Sequence, residues 1–243
     1  MKELFVVGIG AGNYEGLTVA AVRTLEQAEV IVGYTVYCTL LEPHFPAKEF
    51  VTTPMKREVE RCRLALELAQ RGKRVAVVCS GDAGMYGMAS PLLEMAQGSD
   101  IGIKVIPGVT AACSGAALLG APLSNDFAVI SLSDLLTPAE QIADRLEKIA
   151  QADLCVVLYN PAGKKRKEHL QRACDILLRY RSEQTVCAVA RNIGREGESR
   201  QLMTLKELRV WDADMFTTVF IGNSTTRNIN GNMVTPRGYR YEA

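Results

Sequence analysis

Short apolar runs alternate with amphipathic helical segments through the first half of the chain, and this alternation constrains the fold more than any other feature. Runs without polar alternation are typical of strands that are buried on both faces of a sheet. Four such runs are Leu4–Ile9, Val30–Val32, Val75–Cys79 and Ile103–Ile106. Apolar residues at helical spacing separate them, at Leu17–Ala28, Val59–Arg71 and Met85–Ala96. This order predicts an α/β fold with a parallel sheet and crossover helices.

The second half continues the alternation with more extended structure. Strand-like runs are Phe127–Leu132, Leu154–Tyr159, Val186–Ala190 and Phe216–Ile221, and Leu170–Tyr180 is helical. Thr137, Pro138 and Glu140 predict a helix start with a capping box. The tail after Gly222 is rich in Asn, Gly and Thr, which indicates loops and a hairpin. A length of 243 residues accommodates two modest domains, and we place them at residues 1–122 and 123–243.

Charge and cysteine usage exclude several classes of protein. The net charge of +1 argues against bulk affinity for nucleic acid or an anionic membrane, because both require a basic field. The uncharged stretch 105–125 contains two Pro and three Gly, so it predicts a strand, loop and helix rather than a membrane span.

Seven cysteines without paired spacing predict reduced thiols in a cytoplasmic protein. His44 and His169 lack metal-ligand spacing, so no metal site is predicted.

Three glycine-rich turns follow predicted strands of the first half: Gly8–Gly12, Ser80–Gly87 and Pro107–Ala111. Glycine lets a backbone turn tightly and approach a ligand, and open α/β sheets bind ligands at the carboxyl edge. Three turns at one edge therefore favour a shared pocket for a nucleotide-like ligand, although each alone is explained as an ordinary connection. A nicotinamide fingerprint is weak, because Asn13 stands where its third glycine belongs.

A basic run follows the strand that ends at Tyr159 and Asn160. Lys164, Lys165, Arg166 and Lys167 stand before a predicted helix, where the helix dipole favours anions rather than cations. The run is either a solvated helix face or a site for substrate carboxylates.

These motifs together resemble the tetrapyrrole methylase family. The segments GIGAG, SGDAGMYGMAS and PGVTAACSGAALLGAPL carry this resemblance in the first half. The segments SNDFAVISLSDLLTP, LYNPAGKKRKEHL, ARNIGREGE and GNSTTRNINGNMVTPRGY resemble the group that methylates C-17 of precorrin-3B or cobalt-factor III. The first loop departs from the usual GxGPG, because Ala11 replaces the proline. The resemblance runs through nearly all of the chain, and its seven motifs occur in order.

The resemblance implies two α/β domains with S-adenosylmethionine bound in the cleft between them, and a homodimer. It also implies that the methylation of C-17 accompanies ring contraction, and that any cobalt arrives within the substrate. The donor-binding residues that it implies are Gly10, Ala11, Gly81, Asp82, Met85, Thr110, Ala111, Tyr159, Asn160, Ala188, Arg191 and Thr218.

Further roles follow from the chemistry that the resemblance implies. Methyl transfer from a sulfonium needs mainly positioning, and a carboxyl or hydroxyl group would assist by moving a proton. Asp82, Ser133 and Asp134 are the candidates for this role. The basic run and Arg195 are candidates for binding the acetate and propionate groups of the substrate. Alternatives are a tetrapyrrole methylase acting at another ring carbon, a non-catalytic binding module, and a nicotinamide oxidoreductase.

Overall fold

The computed structural model describes residues 2–162 and 168–240. The chain divides into two compact units, Met1–Ala111 and Ala112–Ala243, which are described separately. This division lies earlier than the expected boundary at residues 122–123. The segment between the two positions packs in the second unit, where Gly115 lies against Phe220 and Ile193.

The first unit contains a five-stranded sheet in which every strand pair is parallel. The strands are β1 (Lys2–Gly8), β2 (Val30–Tyr34), β3 (Glu49–Thr53), β4 (Val75–Cys79) and β5 (Ile101–Ile106). Their order in the sheet is β3-β2-β4-β1-β5, so the first and fourth strands lie side by side. The parallel sheet confirms the prediction. The exposed strand β3 was not predicted, because its sequence lacks an apolar run.

Helices connect these strands: α1 (Val19–Gln27), α2 (Thr35–Leu41), α3 (Glu58–Gln70) and α4 (Ala89–Met95). Two buried apolar clusters fill the space between the sheet and the helices on its two faces. The predicted helix at Met85 starts later, at Ala89. Tyr86 has a left-handed backbone (φ 54°), and this conformation interrupts a helix.

The second unit contains two sheets. Their strands are β6 (Gly120–Ala121), β7 (Phe127–Ser131), β8 (Cys155–Tyr159), β9 (Val186–Arg191), β10 (Ser199–Thr204), β11 (Thr217–Ile221), β12 (Arg227–Ile229) and β13 (Asn232–Val234). The larger sheet has five strands in the order β10-β9-β11-β8-β7; β7 and β8 pair in parallel, and its other pairs are antiparallel. The smaller sheet has the order β12-β13-β6. The predicted tail hairpin is formed by β12 and β13.

Four helices belong to this part of the chain: α5 (Ala111–Leu119), α6 (Ala139–Gln151), α7 (His169–Leu177) and α8 (Leu205–Arg209). The capping box predicted for α6 is not formed. Pro138 is the N-cap and has an extended backbone, so Thr137 lies one residue too early to cap. A capping box forms instead at α8, between Thr204 and Glu207.

All seven cysteines are free thiols, and only Cys113 is exposed. Burial raises the pKa of Cys38 and Cys174 to about 12 and that of Cys62 and Cys79 to about 11. Desolvation disfavours the thiolate, so these four side chains behave as small apolar core groups. Within the described ranges, no helix has the length and apolar character needed to cross a membrane.

Candidate functional site

The loops that follow β1 and β4 are joined directly through their backbones. Gly10 N donates to Gly81 O at 3.1 Å, and Gly81 N donates to Gly10 O at 2.7 Å. Both glycines have left-handed backbones with φ of 69°, a conformation that glycine adopts at little cost. The two loops therefore form one continuous backbone surface at the carboxyl edge of the sheet.

The loop after β5 joins this surface at two further glycines. A Cβ on Gly108 would lie 2.2 Å from Gly81 O, and a Cβ on Gly8 would lie 2.7 Å from Gly108 N. Real Cβ atoms do not make contacts this short. The three loops consequently pack backbone against backbone, and any side chain at these glycines would push them apart.

Asp82 is the polar residue that holds the loops together. Its Oδ1 accepts hydrogen bonds from Gly84 N at 2.8 Å and from Met85 N at 3.2 Å. Its Oδ2 accepts one from Gly108 N at 3.0 Å. A carboxylate has about four acceptor positions, so these donors occupy most of them. This geometry favours loop positioning over the proton transfer predicted for Asp82.

Thr110 and Met85 extend the same cluster, since Thr110 Oγ1 donates to Met85 Sδ at 3.2 Å. Thr110 is buried, whereas Ala11 and Ala111 are half-buried. The structure thus brings together all of the predicted donor-binding residues of the first unit: Gly10, Ala11, Gly81, Asp82, Met85, Thr110 and Ala111.

In the second unit, most of the predicted residues share one end of the larger sheet. Ser131 pairs with Tyr159 across β7 and β8, while Thr217 pairs with Arg191 across β11 and β9. Val219 lies opposite Leu158, and this register puts Thr218 beside Tyr159. The carboxyl ends of three strands and the start of an antiparallel one therefore meet there.

Side-chain hydrogen bonds orient Tyr159 and Asn160. The Tyr159 hydroxyl accepts from Ala112 N at 2.6 Å, and Asn160 Nδ2 donates to Ser131 Oγ at 2.9 Å. Ser131 Oγ also accepts from Ser133 N at 3.3 Å. Ser131 was not predicted as a site residue, although it lies in the SLSD segment that carries part of the family resemblance.

Asp134 lies beside His169, which was not predicted as a site residue. His169 Nε2 is 3.6 Å from Asp134 Oδ2, and its Nδ1 is 2.8 Å from Leu132 O. A carbonyl oxygen only accepts hydrogen bonds, so Nδ1 carries a proton and Nε2 faces the carboxylate. Both side chains line a cavity of about 380 Å³ between α6 and α7. Sequence spacing could not reveal the pair, because 35 positions separate these residues.

The remaining predicted residues are placed less uniformly. Arg191 forms an ion pair with Asp214 at 2.5 Å, and Thr218 is buried in β11. Ala188 has no exposed surface, so its side chain offers nothing to a ligand. Arg195 is half-buried in the turn between β9 and β10.

The predicted substrate-binding residues Lys164, Lys165 and Arg166 lie outside the described residues. No cluster of three metal-ligating side chains occurs in the described parts of the chain.

Comparison with known proteins identifies the family. The family model for tetrapyrrole (corrin/porphyrin) methylases matches residues 3–209. The chain belongs to the tetrapyrrole methylase family. Tetrapyrrole methylases use S-adenosylmethionine as their methyl donor. Among curated relatives, the probable cobalt-factor III C(17)-methyltransferase of Salmonella typhimurium is 44% identical over 238 residues, covering 97% of this chain and 99% of the relative.

Solved structures agree with this assignment. The methyltransferase CobJ is 33% identical with a TM-score of 0.90, covering 97% of this chain and 100% of that one. A uroporphyrin III C-methyltransferase from Thermus thermophilus, complexed with S-adenyl homocysteine, is 22% identical with a TM-score of 0.71, and it covers 90% and 97%. The predicted α/β fold and family are confirmed. This tetrapyrrole methylase is a methyltransferase of cobalamin biosynthesis, as predicted.

Proposed function

We propose that this tetrapyrrole methylase transfers a methyl group from S-adenosylmethionine to C-17 of cobalt-factor III or precorrin-3B, with ring contraction. The observation that carries the proposal is the glycine-built surface of the loops after β1, β4 and β5, where backbone rather than side chain faces the carboxyl edge. The activity printed for the Salmonella relative, which matches this chain over nearly its full length, supports the C-17 assignment.

The residues present fit the proposed methyl donor. A large polar ligand binds where backbone groups are accessible and side chains are small, and the paired Gly10 and Gly81 meet that requirement. Thr110, Met85 and Ala111 line the same loops, and Tyr159, Asn160, Arg191 and Thr218 are proposed for the adenine side. Ala188 is omitted because it is fully buried.

The methyl-transfer step by itself breaks one bond and forms one. When bound, S-adenosylmethionine would supply an activated methyl group, with S-adenosylhomocysteine as the leaving group. The protein contributes alignment of the reacting atoms, and a clamped loop provides it. Asp82 is proposed to set the position of this loop through its three backbone donors.

Proton handling is proposed for the second unit. Asp134 faces His169 Nε2, and Ser133 stands next to this pair in the chain. The two groups are 3.6 Å apart, which is an ion-pair distance, and an imidazole beside a carboxylate is suited to accept and pass on a proton. Arg195 and the run at Lys164, Lys165 and Arg166 are proposed to bind the carboxylates of the substrate.

Assembly and location are proposed on the same basis. We expect a homodimer, because the sequence resembles a family whose members form homodimers. We expect a cytoplasmic protein, because all seven thiols are free.

Methyl transfer to each tetrapyrrole tests the proposal. The protein is incubated anaerobically with S-adenosylmethionine and either cobalt-factor III or precorrin-3B, and the pigment is analysed by mass spectrometry. The proposal predicts the mass gain of one methyl group with at least one substrate, and fragmentation that locates it at C-17. Methylation at another carbon would favour the first alternative. Donor binding without transfer to either substrate would favour a non-catalytic binding module.

Variants of the Asp134–His169 pair test the proton role. Asp134→Asn and His169→Gln are expected to lower kcat at least about a hundredfold while leaving donor affinity unchanged. His44→Gln is the control, because this exposed histidine stacks on Tyr14 in the first unit. Turnover of both pair variants within about threefold of the parent would exclude the role.

A further inference from the structure

The carboxyl edge of the first sheet has a second half that the candidate donor loops do not occupy. Those loops follow β1, β4 and β5, whereas β2 and β3 end on the other side of β4. Because the sheet is parallel, all five strands finish at the same edge. The end of β2 at Tyr34 is therefore next to the loop after β4, and the end of β3 at Thr53 lies one strand farther out.

Apolar side chains are exposed at this half of the edge. Val36, at the start of α2, is 39% exposed, and Met55, just after β3, is 43% exposed. The rings of Tyr34 and Tyr37 pack edge to face with centroids 5.2 Å apart. Across the edge, Tyr86 of the loop after β4 is 59% exposed. Because Tyr34 pairs with Thr53 across β2 and β3, Val36 and Met55 each follow by two residues a strand end of the same pair. Exposed apolar groups that cluster at one edge mark a binding site more often than scattered single residues do.

A buried arginine connects the two halves. Arg61 is only 4% exposed; its Nη2 donates to Pro54 O at 3.2 Å and its Nη1 to Met88 Sδ at 3.7 Å. It therefore ties the turn after β3 to the end of the donor loop. Within the described part of the chain, no carboxylate pairs with it and its Nε has no partner. An unneutralised buried cation is costly, and its charge makes this edge more positive.

Lys56 adds an exposed cation with an unusual backbone. Its φ is 67°, a left-handed conformation that glycine or asparagine adopts more readily. Strained positions of this kind concentrate at functional sites. The neighbouring Arg57 is paired with Glu60 at 3.6 Å, whereas Lys56 has no hydrogen bond or ion pair to any described residue. Its ammonium group is therefore available to an external anion.

We propose that Tyr34, Val36, Met55 and Lys56 form the surface that binds the tetrapyrrole substrate; we call it the β2–β3 edge surface. A tetrapyrrole combines a large apolar ring with peripheral carboxylates, and this surface combines exposed apolar groups with an unpaired ammonium. The Arg61 link holds it beside the donor loop, where the methyl acceptor must lie. The inference rests on the proposed function and assigns the acceptor side of the same site.

The double variant Met55→Ser/Lys56→Gln tests this surface. Both residues are exposed, so the midpoint of thermal unfolding should stay within about 2 °C of the parent. The Kd for cobalt-factor III, from absorbance titration, and its KM are expected to rise about tenfold or more, since an apolar contact and a charge-assisted one are lost. The Kd for S-adenosylmethionine should change less than about twofold, because surface substitutions outside a binding site have effects of this size or smaller.

Matched substitutions at the opposite edge of the sheet provide the control. Met95 ends α4 and Lys73 precedes β4, so Met95→Ser/Lys73→Gln removes the same groups far from the proposed surface.

Lys56→Gly is a second test, because it removes the ammonium while relieving the left-handed backbone. Lys56→Gly should raise the midpoint of thermal unfolding and also raise the Kd for cobalt-factor III. A purely structural role for Lys56 would not combine greater stability with weaker binding.

The outcomes separate this inference from the proposed function. If the parent binds and methylates a tetrapyrrole but the double variant and Lys56→Gly both keep its Kd within about twofold, the surface is wrongly assigned and the function stands. An equal loss in the opposite-edge control would also overturn the surface. If the parent neither binds nor methylates either tetrapyrrole, the proposed function and this inference both fail.

Discussion

Close backbone packing and the Asp82 carboxylate hold the loops after β1, β4 and β5 of the first unit, whereas side-chain hydrogen bonds hold the residues after β7 and β8 of the second. In the first unit, Gly8, Gly81 and Gly108 pack so closely that no Cβ fits at two of them. In the second, the Tyr159 hydroxyl and the Asn160 amide set the geometry through hydrogen bonds. Apart from the Asp82 carboxylate, the first region therefore depends on side chains being absent, and the second depends on their being present. Atoms added at the glycines, or loss of the Asp82 carboxylate, should damage the first region, and removed side-chain atoms should damage the second.

The largest effect is expected for Gly108→Ala in the first unit. Its Cβ would lie 2.2 Å from Gly81 O, so the loops after β4 and β5 must separate. We expect a loss of about 3 kcal/mol in the free energy of unfolding together with loss of S-adenosylmethionine binding. Denaturant unfolding and calorimetry measure the two. Gly102→Ala is the control, because its Cβ would make an ordinary contact of 3.6 Å with Lys2 O. Equal stability of the two variants would refute backbone packing as the cause.

Asp82→Asn is expected to have the next largest effect, because both oxygens of this carboxylate accept backbone hydrogen bonds. An amide turns one acceptor into a donor that faces a backbone N–H. The free energy of unfolding should fall by about 2 kcal/mol, since charge-assisted bonds are lost. Donor affinity should weaken, while kcat at saturating donor should change little. A normal affinity with a greatly lowered kcat would instead restore the proton-transfer role for Asp82.

In the second unit, Tyr159→Phe removes a single acceptor. Ala112 N loses its 2.6 Å partner, so we expect a loss of about 1 kcal/mol in stability, measured by denaturant unfolding. Tyr180→Phe serves as the comparison, because that partly exposed hydroxyl bonds to Glu147 at the surface. The surface variant should stay within about 0.5 kcal/mol of the parent. Were Tyr159→Phe equally mild, side-chain hydrogen bonds would not be what holds this region.

The smallest effect, when measured no more than about half a pH unit above 9.0, is one that the two units should share. Burial raises the pKa of Cys38 in the first unit and of Cys174 in the second from the ordinary 9.0 to about 12. Above pH 9.0 the unfolded chain therefore loses thiol protons that the folded chain retains, and stability falls as pH rises toward 12. Unfolding free energies measured under reducing conditions on either side of pH 9.0 should show this decline. Cys38→Ala and Cys174→Ala should each flatten it, and a pH dependence unchanged by both would contradict the assignment.

Local sequence patterns were sufficient for much of the fold. Apolar runs such as Val75–Cys79 predicted buried parallel strands, and the glycine-rich turns predicted loops that lie together at one edge of the sheet. These features depend on backbone preferences and burial, which neighbouring residues determine. The family resemblance added the methyl donor and the substrate class, because it rests on the order of several motifs.

The tertiary structure alone decided how distant residues meet. Gly8, Gly81 and Gly108 are far apart in sequence, and only the strand order brings their backbones into contact. The same holds for the Asp134–His169 pair and for Arg61, whose link to Met88 depends on the packing of α3. The hydrogen bond from Gly108 N to the Asp82 carboxylate likewise joins residues 26 positions apart, and it favours loop positioning by Asp82. A sequence pattern indicates what each residue prefers, but hydrogen-bond partners across strands are determined by how the chain packs.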